Sequence, residues 1–121
     1  MPLFRRTPRT PRTPRLPPAE AHALTNSPRA DGGTVLLDVR EQPEYRAAHA
    51  PGAVLAPLGS LAAGAPLPPA ARDKELVVIC RGGHRSRQAV RLLAARGIDA
   101  VDVDGGMTAW AAAGLPVIPA S

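Results

Sequence analysis

Residues 75–86 read ELVVICRGGHRS and include the only cysteine of the chain, Cys80. The apolar first half of this stretch predicts a buried strand, and residues 87–96 predict an amphipathic helix, so the cysteine stands where a strand turns into a helix. Unpaired backbone N–H groups and the positive end of the helix dipole gather at such a turn, and Arg81 and Arg85 add side-chain charge. These conditions favour the thiolate, the nucleophilic form of cysteine.

The alternative interpretation is a buried and inert Cys80, because free cysteines are commonly buried. Residues 81–85 contain two glycines and three basic side chains, which predict an anion cradle of backbone amides and not an apolar pocket. We therefore predict a reactive thiol. A single cysteine also rules out an internal disulfide and leaves no resolving partner, so another molecule must clear oxidation products.

The length of 121 residues predicts one domain with one core. No apolar stretch approaches the roughly 20 residues that span a bilayer, so we expect no membrane insertion. Arg5 and Arg6 lead into a proline-rich stretch and not into the apolar region of a secretory signal. We therefore expect a cytoplasmic protein.

The net charge of +5 comes from the N-terminal end of the chain. Five arginines precede the first acidic residue, Glu20, so the chain from Leu16 onward is neutral. Residues 7–15 repeat Thr-Pro-Arg three times, and proline lacks the N–H that a helix interior or a central strand requires. We predict a disordered basic tail over residues 1–15 and a folded domain over residues 16–118. With no aromatic side chains between the arginines for base stacking, nucleic acid is expected to bind only weakly, through this tail.

Short apolar runs alternate with helical patterns along the rest of the chain. The pattern predicts strands at 34–38, 53–55, 76–80 and 100–103, and helices at 18–25, 41–48, 58–61, 87–96 and 106–113. Such alternation favours a mostly parallel sheet covered on both faces. Functional sites in these sheets form at the carboxyl ends of the strands, where Cys80 and residues 38–40 are placed.

Three segments carry motifs at set spacings: LDVR (37–40) with EY (44–45) and HAPGA (49–53), then CRGGHRS (80–86), then GGMTAW (105–110) with AGLPV (113–117). Together and in this order, over about residues 16–117, they resemble the single-domain rhodaneses. The resemblance implies a three-layer α/β/α sandwich around a five-stranded parallel sheet. Ala48 and Ala50 depart from the family motif, which usually reads Gly-His-Ile-Pro-Gly-Ala, and we expect this to change packing and not chemistry.

The resemblance implies a thiosulfate sulfurtransferase, with Cys80 as the catalytic residue. It would accept a sulfane sulfur from thiosulfate or a persulfide donor and pass it to cyanide or a thiol. The loop residues implied to cradle the outer sulfur and bind the donor are Arg81, Gly82, Gly83, His84 and Arg85, with Arg85 attracting the donor. Ser86 would cap a helix beginning at Arg87. No cofactor or metal is implied, and apart from Cys80 and His84, which three residues separate, the cysteine and histidines lack the paired spacing of a zinc site.

The sequence leaves two possible roles open for each of several side chains. Arg81 either binds the sulfonate end of thiosulfate or is solvated, and His84 either tunes the response to pH or faces solvent. Asp38 and Arg40 either touch substrate or form a structural ion pair with Glu44 or another neighbour.

The remaining motif residues are interpreted structurally. His49 is expected to fix a turn by hydrogen bonding, and Trp110 to lie in the core. Gly105 and Gly106 are expected to form a tight strand-to-helix turn.

Two other functions compete with thiosulfate turnover. One is a cysteine phosphatase or arsenate reductase, but those enzymes place five residues between cysteine and arginine, and only four separate Cys80 from Arg85. The shorter loop favours one sulfur atom over a phosphate group. The other is a protein-to-protein persulfide relay, whose partner would be a sulfur-carrier or thioredoxin-like protein. The sequence leaves the relay and the thiosulfate enzyme open.

Overall fold

Strands and helices alternate along residues 15–26 and 33–119, which are the residues described in this computed structural model. The strands are β1 (Arg15–Leu16), β2 (Thr34–Asp38), β3 (Ala48–His49), β4 (Val54–Leu55), β5 (Glu75–Ile79), β6 (Ala100–Val103) and β7 (Ile118–Pro119). The helices are α1 (Pro18–Thr25), α2 (Gln42–Ala47), α3 (Leu58–Ala62), α4 (His84–Ala95) and α5 (Gly106–Ala112), with a 3₁₀ turn at Pro69–Ala71.

Within the described ranges, five strands form one parallel sheet in the order β1-β6-β5-β2-β4. The central strand β5 pairs with β2 through Leu37 and Val78, and with β6 through Val78 and Asp102. This confirms the predicted sheet. A second, antiparallel pair joins β3 to β7, which the sequence did not predict because each strand is only two residues long.

Helices cover both faces of the sheet because successive strand residues point to opposite sides. Val78 of β5 belongs to a cluster with Leu61 of α3 and Leu93 of α4. Its neighbour Val77 belongs to the other cluster, with Ala21 of α1 and Trp110 of α5. This confirms the three-layer sandwich. Trp110 is fully buried, and its indole N–H donates to the carbonyl of Pro116 over 2.8 Å.

The first strand corrects the predicted boundary of the tail. The sequence predicts Arg15 as the last residue of the tail, but Arg15 is the first residue of β1 and pairs with Asp102 of β6. The proline at position 14 lies before the strand, so Arg15 keeps the N–H and C=O groups that a sheet residue needs. The predicted disorder of residues 1–14 lies outside the described residues.

Helix α4 begins three residues earlier than predicted, at His84 instead of Arg87. Gly83 takes the N-cap position with a left-handed φ of 99°, a conformation that glycine adopts without a steric penalty. The turn between β5 and α4 therefore reaches only from Cys80 to Gly83. In the described part of the chain, no helix is both long and apolar enough to cross a membrane.

Candidate active site

Cys80 follows the last residue of β5, and its side chain lies under the first turn of α4. Its Sγ accepts backbone N–H groups from Gly83 over 3.1 Å and from Ser86 over 3.2 Å. The residue is 1% exposed. Two amide donors directed at one sulfur form a cradle that stabilises negative charge on that atom.

The sulfur also acts as the N-terminal cap of α4. Gly83 has no side chain that could accept a hydrogen bond from the first turn, and the amide of Ser86, the third helical residue, would otherwise lack a partner. The thiol supplies that acceptor. The positive end of the helix dipole therefore faces Sγ, as the sequence predicted.

The N-terminus of α5 holds the other side of the turn. The N–H of Met107 donates to the carbonyl of Cys80 over 2.7 Å, and the N–H of Thr108 donates to the carbonyl of Arg81 over 3.0 Å. Gly106 has a φ of 57°, and a Cβ at this position would overlap the carbonyl groups of Cys80 and Arg81. This close approach explains why the strand-to-helix turn before α5 needs glycine.

Arg85 points toward α2, where Glu44 binds both ends of its guanidinium. The two N–O distances are 2.7 and 2.9 Å. The hydrogen bonds from Arg85 lower the pKa of Glu44 from 4.5 to about 2, and the same bonds raise the pKa of Arg85. Arg85 therefore already has an anionic partner, and its predicted attraction of a donor stays a prediction.

A second ion pair lies beneath the turn, on β6 and β1. Asp102 is fully buried, and Arg15 donates to its two carboxylate oxygens over 3.1 and 2.9 Å. The hydroxyl of Ser86 donates to the same carboxylate over 2.7 Å. The prediction that Ser86 caps a helix was wrong, because the helix begins at His84 and this hydroxyl is bound to Asp102.

Sequence reasoning missed both Arg15 and Asp102. A signal for Asp102 was present, since a carboxylate inside an apolar strand must find a partner if it is buried. No signal identified the partner, because Arg15 is 87 residues away and was counted with the basic repeat.

Asp38 and Arg40 pair with each other at the end of β2. The guanidinium donates to the carboxylate over 2.8 to 3.2 Å and also to the carbonyl of Ala48 over 2.7 Å. Both side chains are buried. Glu44, the other partner considered for them, is bound to Arg85 instead.

The remaining predicted site residues lie at the rim of the turn. Arg81, Gly82 and His84 are exposed, so Arg81 and His84 are accessible to a molecule approaching the loop. His49 belongs to β3, with Nδ1 2.9 Å from the carbonyl of Tyr45 and its ring stacked on that tyrosine. This confirms its expected role in fixing a turn. Within residues 15–26 and 33–119, no group of three metal-ligating side chains is brought together.

Comparison with known proteins identifies the family. A family model described as the rhodanese-like domain matches residues 18–113. This chain belongs to the rhodanese-like domain family. The match covers every strand of the parallel sheet except β1, and it includes Cys80 with the whole turn.

Rhodanese-like relatives occur both as small proteins and as parts of larger ones. The thiosulfate sulfurtransferase GlpE of Pseudomonas savastanoi is 36% identical over 97 residues, which cover 79% of this chain and 85% of the relative. An HTH-type transcriptional regulator of Mycobacterium tuberculosis is 38% identical over 91 residues, covering 74% of this chain but only 39% of the regulator. The chain therefore spans about two-fifths of that relative's length.

Solved structures share the same fold. A rhodanese-related protein from Thermoplasma volcanium superposes with a TM-score of 0.70 at 29% identity, covering 86% of this chain and 96% of that one. A protein from Rhodopseudomonas palustris, described as of unknown function and a possible tyrosine phosphatase, gives a TM-score of 0.74 at 31% identity, covering 88% and 85%.

Proposed function

We propose that this rhodanese-like domain is a sulfurtransferase that carries a sulfane sulfur on Cys80 as a persulfide. The observation that carries the proposal is the pair of amides, from Gly83 and Ser86, directed at Sγ. A persulfide places its negative charge on the outer sulfur, and N–H donors around the turn match that charge. The sulfurtransferase name of the Pseudomonas relative points to the same chemistry.

We propose thiosulfate as the sulfur donor. The thiol of Cys80 loses its proton to solvent, and the resulting thiolate attacks the outer sulfur of thiosulfate. The new S–S bond forms as the bond between the outer sulfur and the sulfonate breaks. Sulfite leaves with the electron pair of the broken bond. Cyanide or a thiolate then attacks the outer sulfur and takes it away, which restores the thiolate. The exposed Arg81 and the positive end of α4 attract the dianionic donor.

Mass spectrometry tests this assignment directly. Protein incubated with thiosulfate gains the mass of one sulfur atom and loses it again when cyanide is added. An unchanged mass, at donor concentrations that saturate related enzymes, contradicts the proposal.

A persulfide relay uses the same intermediate with a protein partner. The acceptor would be a sulfur-carrier or thioredoxin-like protein, and a reduced resting thiol fits the cytoplasmic location that we propose. Steady turnover with thiosulfate and cyanide favours the enzyme. A stable persulfide that only a partner protein discharges favours the relay.

Phosphatase activity is the weaker alternative, raised by the description of the Rhodopseudomonas neighbour. The turn places only Arg81, Gly82 and Gly83 between Cys80 and the helix, and Arg85 is held by Glu44. That leaves a cradle sized for one sulfur. Hydrolysis of p-nitrophenyl phosphate that depends on Cys80 would support the phosphatase instead.

A further inference from the structure

One buried ion pair links β1 to the turn around Cys80. Asp102 lies inside β6 with no solvent exposure, and a carboxylate in that position requires a cation and full hydrogen bonding. Arg15 is its register partner on β1, so the two side chains leave the sheet on the same face. The hydrogen bonds with Asp102 raise the pKa of Arg15.

The same ion pair contacts both residues that donate an N–H to the sulfur. Arg15 donates from Nη2 to the carbonyl of Gly83 over 2.6 Å, while Asp102 accepts from the hydroxyl of Ser86 over 2.7 Å. The amides of Gly83 and Ser86 lie 3.1 and 3.2 Å from Sγ of Cys80. Each residue that donates an amide to the sulfur is therefore hydrogen-bonded, through its carbonyl or hydroxyl, to one member of the pair.

The packing around Gly83 leaves little freedom for this contact. A Cβ added to Gly83 would come within 2.6 Å of Nη2 of Arg15 and within 3.3 Å of the amide nitrogen of Gly105. The guanidinium thus lies directly against the turn, which is held on its other side by α5. A smaller side chain at position 15 would leave the carbonyl of Gly83 without its partner and the turn free to shift.

We propose that Arg15 is a positioning residue for sulfur transfer, which together with Asp102 holds the amides of Gly83 and Ser86 in place around the sulfur of Cys80. This inference rests on the proposed sulfurtransferase function and extends its machinery to a strand outside the matched family region. Arg15 acts through the two amides: its own hydrogen bonds go to Asp102 and Gly83.

The kinetic consequence separates positioning from substrate binding. Misplaced amides hold the charged sulfur of Cys80 less well in the position for attack, so the rate of the chemical step falls. The attraction of thiosulfate by Arg81 and the helix end is largely unaffected. We therefore expect the loss to appear in the maximal rate and not in the half-saturating thiosulfate concentration.

The experiment compares Arg15→Gln with wild type in single-turnover persulfide formation, followed by mass spectrometry. At saturating thiosulfate, the rate per folded molecule should fall about 10-fold or more. The matched control is Arg96→Gln at the far end of α4, which removes an arginine that also holds two carbonyls, those of Ala65 and Leu61. The control should lose stability and keep the rate.

If Arg15→Gln fails to fold, the same rate comparison is made with two other variants, Arg15→Lys and Ser86→Ala. Lysine retains the charge but not the fork that reaches Asp102 and Gly83 together, so it should restore stability better than rate. Ser86→Ala leaves the ion pair between Arg15 and Asp102 intact but removes the hydrogen bond from the Ser86 hydroxyl to Asp102. The rate of persulfide formation by this variant should fall by about 3-fold or more. Rates equal to wild type in the folded variants would overturn the inference.

A second readout is independent of sulfur transfer. Cys80 is only 1% exposed, so the rate at which iodoacetamide alkylates this single thiol reports how firmly the turn holds the sulfur, and this rate should change in the Arg15 variants and not in Arg96→Gln. If wild type forms no persulfide, the proposed function fails while the alkylation comparison still tests Arg15. If wild type forms it and the variants match wild type in both assays, only the Arg15 inference fails.

Discussion

At the scale of single residues, Cys80 combines two tasks that are usually separate. Its Sγ accepts the amide of Ser86, as a serine or aspartate oxygen does at other helix starts, and it is also the proposed nucleophile. The residue that follows β5 thus also caps α4, the helix whose positive end faces its sulfur. Substitution of this residue therefore affects chemistry and capping differently.

Replacing Cys80 with serine should abolish sulfur transfer and preserve the fold. The hydroxyl is nearly the same size and is a good cap, so the variant should unfold within a few degrees of wild type. It has no accessible anion at neutral pH and should gain no sulfur from thiosulfate in mass spectrometry. Sulfur that is still bound and released by cyanide in the variant would mean that another atom is the acceptor.

Glu44 should make the stability of the protein depend on pH. The hydrogen bonds from Arg85 lower the pKa of Glu44 from 4.5 to about 2. As the pH falls, the carboxylate of the folded protein is therefore protonated at a lower pH than that of the unfolded chain. The stabilisation is complete above about pH 4.5 and is lost as the pH falls toward about 2. Both side chains are 30% exposed, and solvent limits the contribution to about 1 kcal/mol.

Urea unfolding of Glu44→Gln tests this. The variant should be less stable than wild type at pH 7, and the difference should shrink at pH 2 to 3. Glu20→Gln on the exposed face of α1 is the control and should show no such difference. A deficit of Glu44→Gln that stays constant from pH 7 to 2 would rule out the ion pair as its source.

At the scale of elements, the turn before α5 supports the active-site turn. Gly106→Ala should therefore destabilise the protein by about 2–4 kcal/mol, since a left-handed residue with a Cβ is strained and this Cβ would also meet the carbonyls of Cys80 and Arg81. Gly114→Ala is a matched control, because Gly114 has a φ of 75° but nothing lies within 4 Å of an added Cβ. That variant should lose only about 1 kcal/mol.

Chemical denaturation of both glycine variants, with persulfide formation by the folded fraction, measures the two effects. Gly106→Ala should also transfer sulfur more slowly than Gly114→Ala. Equal stability losses would mean that the overlap with the turn is relieved at no cost.

The elements that the sequence predicts are those with a strong local pattern. Strands β2 and β5 are mainly apolar, β6 is a short apolar run interrupted by Asp102, and α4 has a clear apolar face, so the sequence predicts each of them to within a few residues. The start of α4 was missed because its first turn, His84 to Ser86, is polar and was assigned to the anion-binding loop. The cap in this turn comes from the thiol, and propensity rules contain no such case.

The unpredicted features depend on contacts between distant parts of the chain. Strand β1 has two residues, and nothing in them indicates a sheet until β6 supplies the register. The same holds for the pairing of β3 with β7. At the site, the cysteine and its turn follow from local sequence, whereas the partners of Arg85, Ser86 and Asp102 are set by tertiary packing.

At the scale of the whole molecule, most of the net positive charge lies in residues 1–14, and the described fold begins at Arg15. Removing residues 1–14 deletes four arginines and no acidic residue, which leaves a net charge of +1. The prolines at positions 8, 11 and 14 lack the N–H that a sheet residue donates, so this deletion should leave sulfur transfer and the melting temperature nearly unchanged. Salt-sensitive binding to RNA or DNA, measured by electrophoretic shift, should disappear with it.

Removing Arg15 as well allows a comparison of two truncated chains that differ by this one residue. A chain that begins at Leu16 lacks Arg15, so it should melt lower and transfer sulfur more slowly than the chain that begins at Arg15. If both truncations behave alike and match the full chain, the sheet does not need Arg15. If both lose activity, residues before Arg15 contribute to the fold.

The single cysteine makes any thiol-specific label or signal specific for the site around Cys80. Because the sequence contains one sulfhydryl and it occupies the amide cradle, every fluorescent maleimide, every isotope-coded tag and every Raman S–H band from the purified chain originates at that single spot. Occupancy of the cradle can therefore be followed in the purified protein without engineering, by the disappearance of one labelled peptide.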